Sequence, residues 1–204
     1  MKRFANRQDA GRALAARLAA HTWHDPLVLG LPRGGVPVAK EVADELNAEL
    51  DVVVARKIGA PGHPEYGVGA VTADGEPIYD ARVLRALNLT EEQLSRTCDQ
   101  ERAEAARRTA LYRGDKPLEI KGRDVILVDD GLATGVTAKA ALRWIAQHEP
   151  NTITLAVPVA AKESIRTFMT PVVAILVPKH FGAVSRWYDR FDQTTDAEVL
   201  SALE

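Results

Sequence analysis

The sequence predicts an α/β fold with an open, mainly parallel five-stranded sheet, flanking helices and a small attached unit. Two observations predict it: short apolar runs rich in β-branched residues, and segments of helical period that separate those runs. Strands that alternate with helices pair in parallel through right-handed crossovers. A length of 204 residues is sufficient for a single domain of this kind over residues 1–204.

Each strand of the sheet is expected at one apolar run, and glycine or proline residues close several of these runs. The runs cover residues 27–31, 51–55, 125–128, 153–157 and 172–177. Helices are expected where apolar residues recur three and four positions apart. These segments cover residues 7–20, 36–47, 137–147 and 162–168, and Thr195 with Glu198 begins a further short helix.

Two stretches interrupt the alternation. A helical insertion is predicted over residues 80–115, because Thr90 and Gln93 have the spacing of a capping box before a long, charged, alanine-rich helix. That helix has few large apolar residues, so it is expected outside the core. Residues 59–64 contain too many glycines and prolines for regular structure, and short strands are expected near residues 68–72 and 77–79.

Composition and charge argue against several classes of protein. Apolar residues make up 46% and charged residues 26% of the chain, and the net charge is −2, so neither nucleic-acid binding nor a membrane span is expected. The first residues contain no apolar run typical of a secretory signal. The single cysteine, Cys98, excludes an internal disulfide and a cysteine-cluster metal site. A cytoplasmic location is therefore expected.

The segment VILVDDGLATGVT, residues 125–137, combines a buried strand, two acids and a glycine-containing turn before a helix. Ligands bind beyond the carboxyl ends of the strands in open α/β sheets. Glycines let the backbone approach a ligand closely, and the amide groups and dipole of a helix start attract an anion. Thr134 and Thr137 add hydroxyl donors, so the segment predicts a site for a phosphate monoester.

Asp129 and Asp130 would repel a phosphate, so they are expected to meet another part of the same ligand. Two carboxylates can accept hydrogen bonds from neighbouring hydroxyl groups such as those of ribose. A sugar phosphate satisfies both halves of the segment. The alternative is a surface turn with two solvated acids and a threonine that caps the helix.

The same segment resembles the signature with which type I phosphoribosyltransferases bind 5-phosphoribosyl 1-diphosphate (PRPP). The resemblance implies that Asp129 and Asp130 hold the ribose hydroxyls, and that Mg²⁺ lies near them, bound mainly to PRPP. It also implies a turn that holds the 5-phosphate, formed by Gly131, Leu132, Ala133, Thr134, Gly135, Val136 and Thr137. The segment is neither a P-loop, which needs a lysine after its last glycine, nor a dinucleotide-binding fingerprint, whose glycine spacing differs.

Two further features suit a diphosphate. Residues 31–35, Leu-Pro-Arg-Gly-Gly, resemble the diphosphate loop of the family, with Arg33, Gly34 and Gly35 as its anion-binding part. The alternative is a strand-to-helix turn that needs glycine. Arg56 and Lys57 follow the second strand, where both are expected to neutralise the diphosphate and Lys57 to stabilise the leaving group. Their alternative is solvated surface.

The tail over residues 178–204 is expected to form a hood over the acceptor together with the inserted helix, as the resemblance implies. Its rings Phe181, Trp187 and Tyr188 are candidates to stack on a flat nucleobase. Two alternatives stay open, because the rings can instead anchor the tail to the core or form the contact of a homodimer. Residues 59–66 stand where related enzymes carry a mobile lid.

The expected function is transfer of the phosphoribosyl group of PRPP to a nitrogen of a nucleobase or an amine. Diphosphate leaves ribose C1 through a transition state that resembles an oxocarbenium ion. Asp129, Asp130 and Lys57 are the candidate catalytic residues. Two other functions stay open: a regulator that senses PRPP without catalysis, and another enzyme that acts on phosphoribosyl compounds, since the fold and the PRPP site alone do not determine the reaction.

Overall fold

The computed structural model describes residues 3–204, apart from the side chain of Glu65. The first half of the chain contains α1 (Arg7–Leu18), β1 (Leu27–Gly30), α2 (Gly35–Leu46), β2 (Glu49–Val52), β3 (Ala55–Ala60), β4 (His63–Thr72), β5 (Ile78–Tyr79) and α3 (Ala81–Leu87). The second half contains α4 (Glu91–Arg113), β6 (Asp124–Val128), α5 (Val136–Ala146), β7 (Thr152–Val159), α6 (Lys162–Ile165), β8 (Val172–Leu176) and α7 (Asp196–Leu203).

Five strands form the main sheet in the order β2-β1-β6-β7-β8, and every neighbouring pair is parallel. The predicted sheet is confirmed. In β6, Val125 and Leu127 pack with α5 on one face, whereas Ile126 and Val128 pack with α1 and α2 on the other. Since the strand is buried on both faces, its apolar run is unbroken rather than alternating.

Strands β3, β4 and β5 form a second, antiparallel sheet. The prediction of irregular structure over residues 59–64 is wrong, because most of this stretch lies in β3 and β4 and only Pro61 and Gly62 form the turn between them. The pairing is irregular on either side of Gly59, where a side chain would overlap the backbone of Pro64. Glycine and proline therefore mark a bulge and a turn here.

Helix α4 begins with the predicted capping box, in which Thr90 and Gln93 satisfy each other's backbone groups. Its expected place outside the core is wrong. The helix covers the second sheet and buries Leu94 and Cys98 against Ile58 and Val68, because small side chains on one face allow close packing. Among the described residues, no helix is both long and apolar enough to cross a membrane.

The tail is held by the N-terminal segment as well as by the sheet. Phe4 pairs with Tyr188 as an isolated parallel bridge, and its amide donates to the carbonyl oxygen of Trp187 at 2.9 Å. Phe4, Trp187 and Tyr188 are all buried in one apolar cluster that includes Val159 at the end of β7. The N-terminal segment and the tail thus meet at the carboxyl ends of β7 and β8.

Candidate functional site

The site lies where the chain leaves β1 and β6, two neighbouring strands in the middle of the main sheet. After β1 the chain enters α2 on one face, and after β6 it enters α5 on the opposite face. A parallel sheet opens a crevice at such a switch point, beyond the carboxyl ends of the strands. Residues 31–35, here called the first loop, and residues 129–137, the second loop, line this crevice.

The two loops are in direct contact at Gly34. A side chain at this position would overlap the carboxylate of Asp130 and would lie 3.1 Å from Arg7 Nε. Only glycine allows the first loop to approach the acid so closely. The Pro32–Arg33 peptide in the same loop is cis. The Arg33 guanidinium lies 3.8 Å from the carboxylate of Asp196, at the start of α7, so the first loop also contacts the tail.

Asp129 and Asp130 form an acid pair in a largely dehydrated place. Asp129 Oδ1 accepts a hydrogen bond from the amide of Asp130 at 2.8 Å. Burial raises the pKa of Asp129 well above its usual value, and the neighbouring charge of Asp130 raises it further. Burial also raises the pKa of Asp130, although the charge and hydrogen bond of Arg7 oppose that shift. The pair therefore favours ligands that donate hydrogen bonds or carry positive charge.

Arg7 is the functional candidate that sequence reasoning did not identify. Its Nε donates to Asp130 Oδ2 at 2.8 Å, across 123 positions of sequence. Helical periodicity in residues 7–20 places Arg7 at the first turn of a helix but carries no information on so distant a partner. The sequence therefore contains no local signal for this contact.

The second loop has the geometry of an anion site at the start of α5. Gly135 caps the helix with a φ of +74°, a conformation that favours glycine, and its Cα lies against Phe168. Because α5 begins at Val136, the first amide groups of the helix lack partners within it. Thr134 is exposed at this point, and Thr137 is half-buried. The predicted phosphate turn thus offers amides and a hydroxyl at one spot.

Three members of the predicted turn make structural contacts. Leu132 is buried in the core, where its amide donates to Val159 at 2.8 Å and its carbonyl accepts from Ala161 at 2.9 Å. The carbonyl of Ala133 accepts a hydrogen bond from the hydroxyl of Ser164. Gly131 packs against Val184 of the tail. These contacts fix the turn to the core and to the tail. Leu132 has a buried side chain, and its amide and carbonyl groups are both hydrogen-bonded within the chain.

Arg56 and Lys57 do not lie together, contrary to their expected joint role at the edge of the main sheet. Both belong to β3 in the second sheet, where successive side chains point to opposite faces. Arg56 Nε donates to Glu101 of α4 at 2.8 Å. The stem of Lys57 lies over Gly67 on the other face, close to the side chain of Val136. Lys57 alone therefore faces the second loop.

The rings of the tail are mostly turned inward. Trp187 and Tyr188 are buried, and Trp187 Nε1 donates to the carbonyl of Phe181 at 3.0 Å. Phe181 itself is half-buried against the same cluster. A base cannot stack on Trp187 or Tyr188 in this arrangement, so the alternative in which the rings anchor the tail to the core is favoured. Tyr188 instead donates its hydroxyl proton to the carbonyl oxygen of Asp130 at 2.6 Å.

A sequence model described as a phosphoribosyl transferase domain matches residues 2–183, which is most of the chain. The chain belongs to the phosphoribosyl transferase family. The family resemblance of residues 125–137 is confirmed.

Relatives and solved structures agree with this assignment. A protein of Mycobacterium tuberculosis named provisionally as a phosphoribosyl transferase is 41% identical over 208 residues, covering 100% of this chain. This chain spans only 47% of that relative's length. The crystal structure of TT1426 from Thermus thermophilus is 44% identical, with a TM-score of 0.82 and coverage of 98% of this chain and 97% of that one.

A hypoxanthine phosphoribosyltransferase from Staphylococcus aureus shares the fold at a lower level of similarity. It is 14% identical, with a TM-score of 0.50 over 86% of this chain and 74% of that one. At this identity the likeness concerns the fold alone. The α/β class with its five-stranded parallel sheet is therefore the fold of the family.

Two cavities of this phosphoribosyl transferase domain lie near the site, one beside Arg7 and the other against the second loop. One, of about 350 Å³, lies beside Arg7 and is lined mainly by polar side chains of α1, the tail and α7, among them Arg190, Asp192, Thr194 and Glu198. The other, of about 290 Å³, lies between the second loop and the second sheet. Its lining includes Thr134, Val136, Lys139, Gly67 and Arg82. Among the described residues, no three metal-binding side chains form a cluster.

Proposed function

We propose that this chain binds PRPP at the crevice and transfers its phosphoribosyl group to a nitrogen acceptor, with release of diphosphate. The observation that carries the proposal is the position of the Asp129–Asp130 pair, which begins the second loop and lies against the first loop at Gly34. The amides at the start of α5 lie on one side of the pair, and the contact of Gly34 with Asp130 brings the first loop to the other. A ribose that carries a 5-phosphate and a diphosphate matches this order of anion-binding loop, acid pair and anion-binding loop.

In this proposal the chain acts chiefly by positioning. The second loop holds the 5-phosphate, assisted by the Thr134 hydroxyl, and the acid pair accepts hydrogen bonds from the ribose hydroxyls. The first loop holds the diphosphate. Lys57 faces the second loop and adds positive charge beside the bound PRPP. The cavity beside Thr134 and Val136 supports the first assignment, since it leaves space next to the helix start.

Magnesium is part of the proposal, as a partner of PRPP rather than of a dedicated protein site. Asp129 and Asp130 fit this role, because Mg²⁺ is commonly bound through one or two carboxylates together with substrate phosphates and water. Burial and mutual repulsion raise the pKa of Asp129, and a divalent cation nearby would relieve that repulsion. The ion would supply charge neutralisation of the diphosphate, and the two acids would hold it.

A nucleobase or another nitrogen compound is proposed as the acceptor. Since Trp187 and Tyr188 are buried, the polar cavity of about 350 Å³ next to Arg7 is the better candidate for the acceptor site. Its lining offers both hydrogen-bond donors, such as Arg190, and acceptors, such as Glu198. Such a lining favours an acceptor recognised through hydrogen bonds rather than through stacking.

A cytoplasmic location and a homodimer belong to the same proposal. The buried Cys98 fits a reducing compartment. Tyr66 and Leu87 are exposed apolar side chains beside the β3–β4 turn, and they line one hollow suited to a contact between copies. Light scattering of the purified chain tests the homodimer directly.

The decisive experiment is diphosphate release from PRPP in the presence of Mg²⁺ with a panel of purines, pyrimidines, nicotinate and amines, beside calorimetric titration of PRPP. The Asp130→Asn variant should lose affinity roughly 10-fold or more, since a charge-assisted hydrogen bond contributes about 1.5–3 kcal/mol. Asp44→Asn is the matched control, because Asp44 is exposed on α2 and pairs with Lys40.

Absence of both PRPP binding and diphosphate release in the wild-type chain rejects the proposal. Tight binding without release for every acceptor favours the regulatory function instead.

A further inference from the structure

Arg7, at the start of α1, links Asp130 of the proposed ribose site to the tail. Arg7 and Asp130 are both well shielded, with side chains 11% and 15% exposed. The ion pair is therefore held in a largely dehydrated place, where the attraction between the two charges is screened less than on the surface.

The Arg7 guanidinium is itself fixed from two further directions. Its Cζ lies 4.0 Å from the centroid of the Phe191 ring, and Nη1 donates to the carbonyl oxygen of Asp192 at 2.7 Å. A cation over an aromatic face is attracted by the ring, and the planar guanidinium suits such stacking. The tail thus holds Arg7 in a single orientation.

Contacts to Asp130 leave part of its carboxylate available. The hydrogen bond from Arg7 reaches Oδ2, and Tyr188 engages the backbone carbonyl rather than the carboxylate. An ionised carboxylate has about four acceptor positions. A sugar hydroxyl can therefore bond to Asp130 while the Arg7 pair remains intact.

We infer that Arg7 is a positioning residue for recognition of the ribose hydroxyls, and that Phe191 and Asp192 extend this function to the tail. Arg7 fixes the direction of the Asp130 carboxylate, so that it meets the hydroxyls of a phosphorylated ribose held in the second loop. The inference rests on the proposed function, because it concerns the same sugar site.

A ligand pair that differs in one hydroxyl tests this role. Ribose 5-phosphate and 2-deoxyribose 5-phosphate share the phosphate but differ in the hydroxyl pair that the acids are proposed to hold. Titration of the wild-type chain should show a preference for ribose 5-phosphate of roughly 10-fold, the value of one charge-assisted hydrogen bond. Arg7→Ala should reduce this preference to about 2-fold or less, and Arg7→Lys should restore part of it, since lysine keeps the charge without the fork.

Arg12→Ala is the matched control. Arg12 lies on the same helix, is 60% exposed and pairs with Asp9 at 3.7 Å, so its removal should leave the preference unchanged. Phe191→Leu provides a second variant that retains both members of the ion pair and should give an intermediate preference, even if Arg7→Ala fails to fold.

The double variant Arg7→Ala/Asp130→Asn separates positioning from general stabilisation. If Arg7 acts through Asp130, the double variant should have the same preference as Asp130→Asn alone. Wild-type preference retained in both folded Arg7→Ala and Phe191→Leu overturns the inference while the proposed site stands. Failure of the wild-type chain to bind either sugar phosphate overturns the proposed function itself.

Discussion

Arg56 and Lys57 are adjacent in the chain, yet their side chains lie on opposite faces of β3. Arg56 pairs with Glu101 of α4 at 2.8 Å, and Lys57 extends over Gly67 towards the start of α5. The alternation of side chains along a strand separates the two cations, so they have different roles. One stabilises the packing of α4 on the second sheet, and the other belongs to the proposed site.

Substitution of each cation should reveal this division. Lys57→Ala should lower the affinity for PRPP roughly 10-fold, because a positive charge beside the second loop and its bound phosphate is lost. Arg56→Ala should leave the affinity unchanged and reduce the free energy of unfolding by about 0.2–1 kcal/mol, since the Arg56–Glu101 pair is partly exposed. Calorimetry and urea unfolding measure the two effects, and equal loss of affinity in both variants would contradict the assignment.

Gly62 and Gly135 have nearly equal φ angles but different surroundings, so their variants distinguish the cost of backbone strain from the cost of a steric overlap. Gly135 has a φ of +74° and packs against Phe168, whereas Gly62 has a φ of +75° and open space around it. Alanine at Gly62 should cost about 1–2 kcal/mol of stability through backbone strain alone. Alanine at Gly135 should cost about 1–3 kcal/mol more, because the new methyl group would lie 2.7 Å from the Phe168 ring.

Phosphate binding distinguishes these glycine variants further. Gly135→Ala should weaken binding of ribose 5-phosphate, since the second loop must shift to accept the methyl group, and Gly62→Ala should not. Thermal unfolding and ligand titration of both variants provide the measurements. A Gly135→Ala protein with unchanged affinity would remove the second loop from the proposed site.

The main sheet and the second loop were predictable because their signals are local. Five apolar runs predict the strands of the sheet. The order of strand, acid pair, glycine and threonine in residues 125–137 predicts a turn without information from the rest of the chain. The hairpin of β3 and β4 was not predictable in this way. Gly59 and Pro64 indicate an irregular loop by composition, and only the pairing of the two strands shows that they mark a bulge.

Contacts between distant segments account for the other differences. Arg7 reaches Asp130 across 123 positions, and Phe4 packs on Tyr188 near the other end of the chain. No spacing rule links residues so far apart. Composition alone allows three roles for the aromatic residues of the tail: stacking on a base, anchoring of the tail to the core, and a contact between copies. Burial of Trp187 and Tyr188 favours anchoring.

Tyr188 should support the acid pair through its hydroxyl group. The hydroxyl donates to the carbonyl oxygen of Asp130 at 2.6 Å, so Tyr188→Phe leaves that oxygen without its partner and should cost about 1–3 kcal/mol of stability. It should also lower PRPP affinity several-fold, because the backbone of Asp130 is less firmly held. Titration and urea unfolding test both effects.

Thr72→Val is the control for the loss of a buried hydroxyl. Thr72 is buried at the end of β4, where its hydroxyl oxygen accepts a hydrogen bond from the amide of Gly75 at 3.1 Å. Its variant should lose a similar amount of stability while its affinity for PRPP stays the same. A loss of affinity as large as that of Tyr188→Phe would show that unfolding, rather than the position of Asp130, explains both.

Asp129 should lower the stability of the ligand-free fold while it serves binding. Burial and the charge of Asp130 raise its pKa in the folded state above the unfolded value, so its contribution to stability is fully present at pH values below the unfolded pKa and is lost as pH rises through the folded one. Asparagine carries no charge at any of these pH values, so Asp129→Asn should raise Tm by a few degrees at neutral pH, and this gain should shrink as the pH falls. PRPP affinity should fall in the same variant.

Asp124→Asn is the opposite case. Burial raises the pKa of Asp124, but hydrogen bonds from His24, Thr152 and Asn151 outweigh burial and lower the pKa. Loss of the charge should therefore cost about 2 kcal/mol of stability at neutral pH. Thermal unfolding of the two variants from pH 4 to pH 8 (about the range in which carboxyl groups with raised pKa values titrate) measures both signs, and a lower Tm for Asp129→Asn at neutral pH would show that its ionised carboxylate stabilises the site.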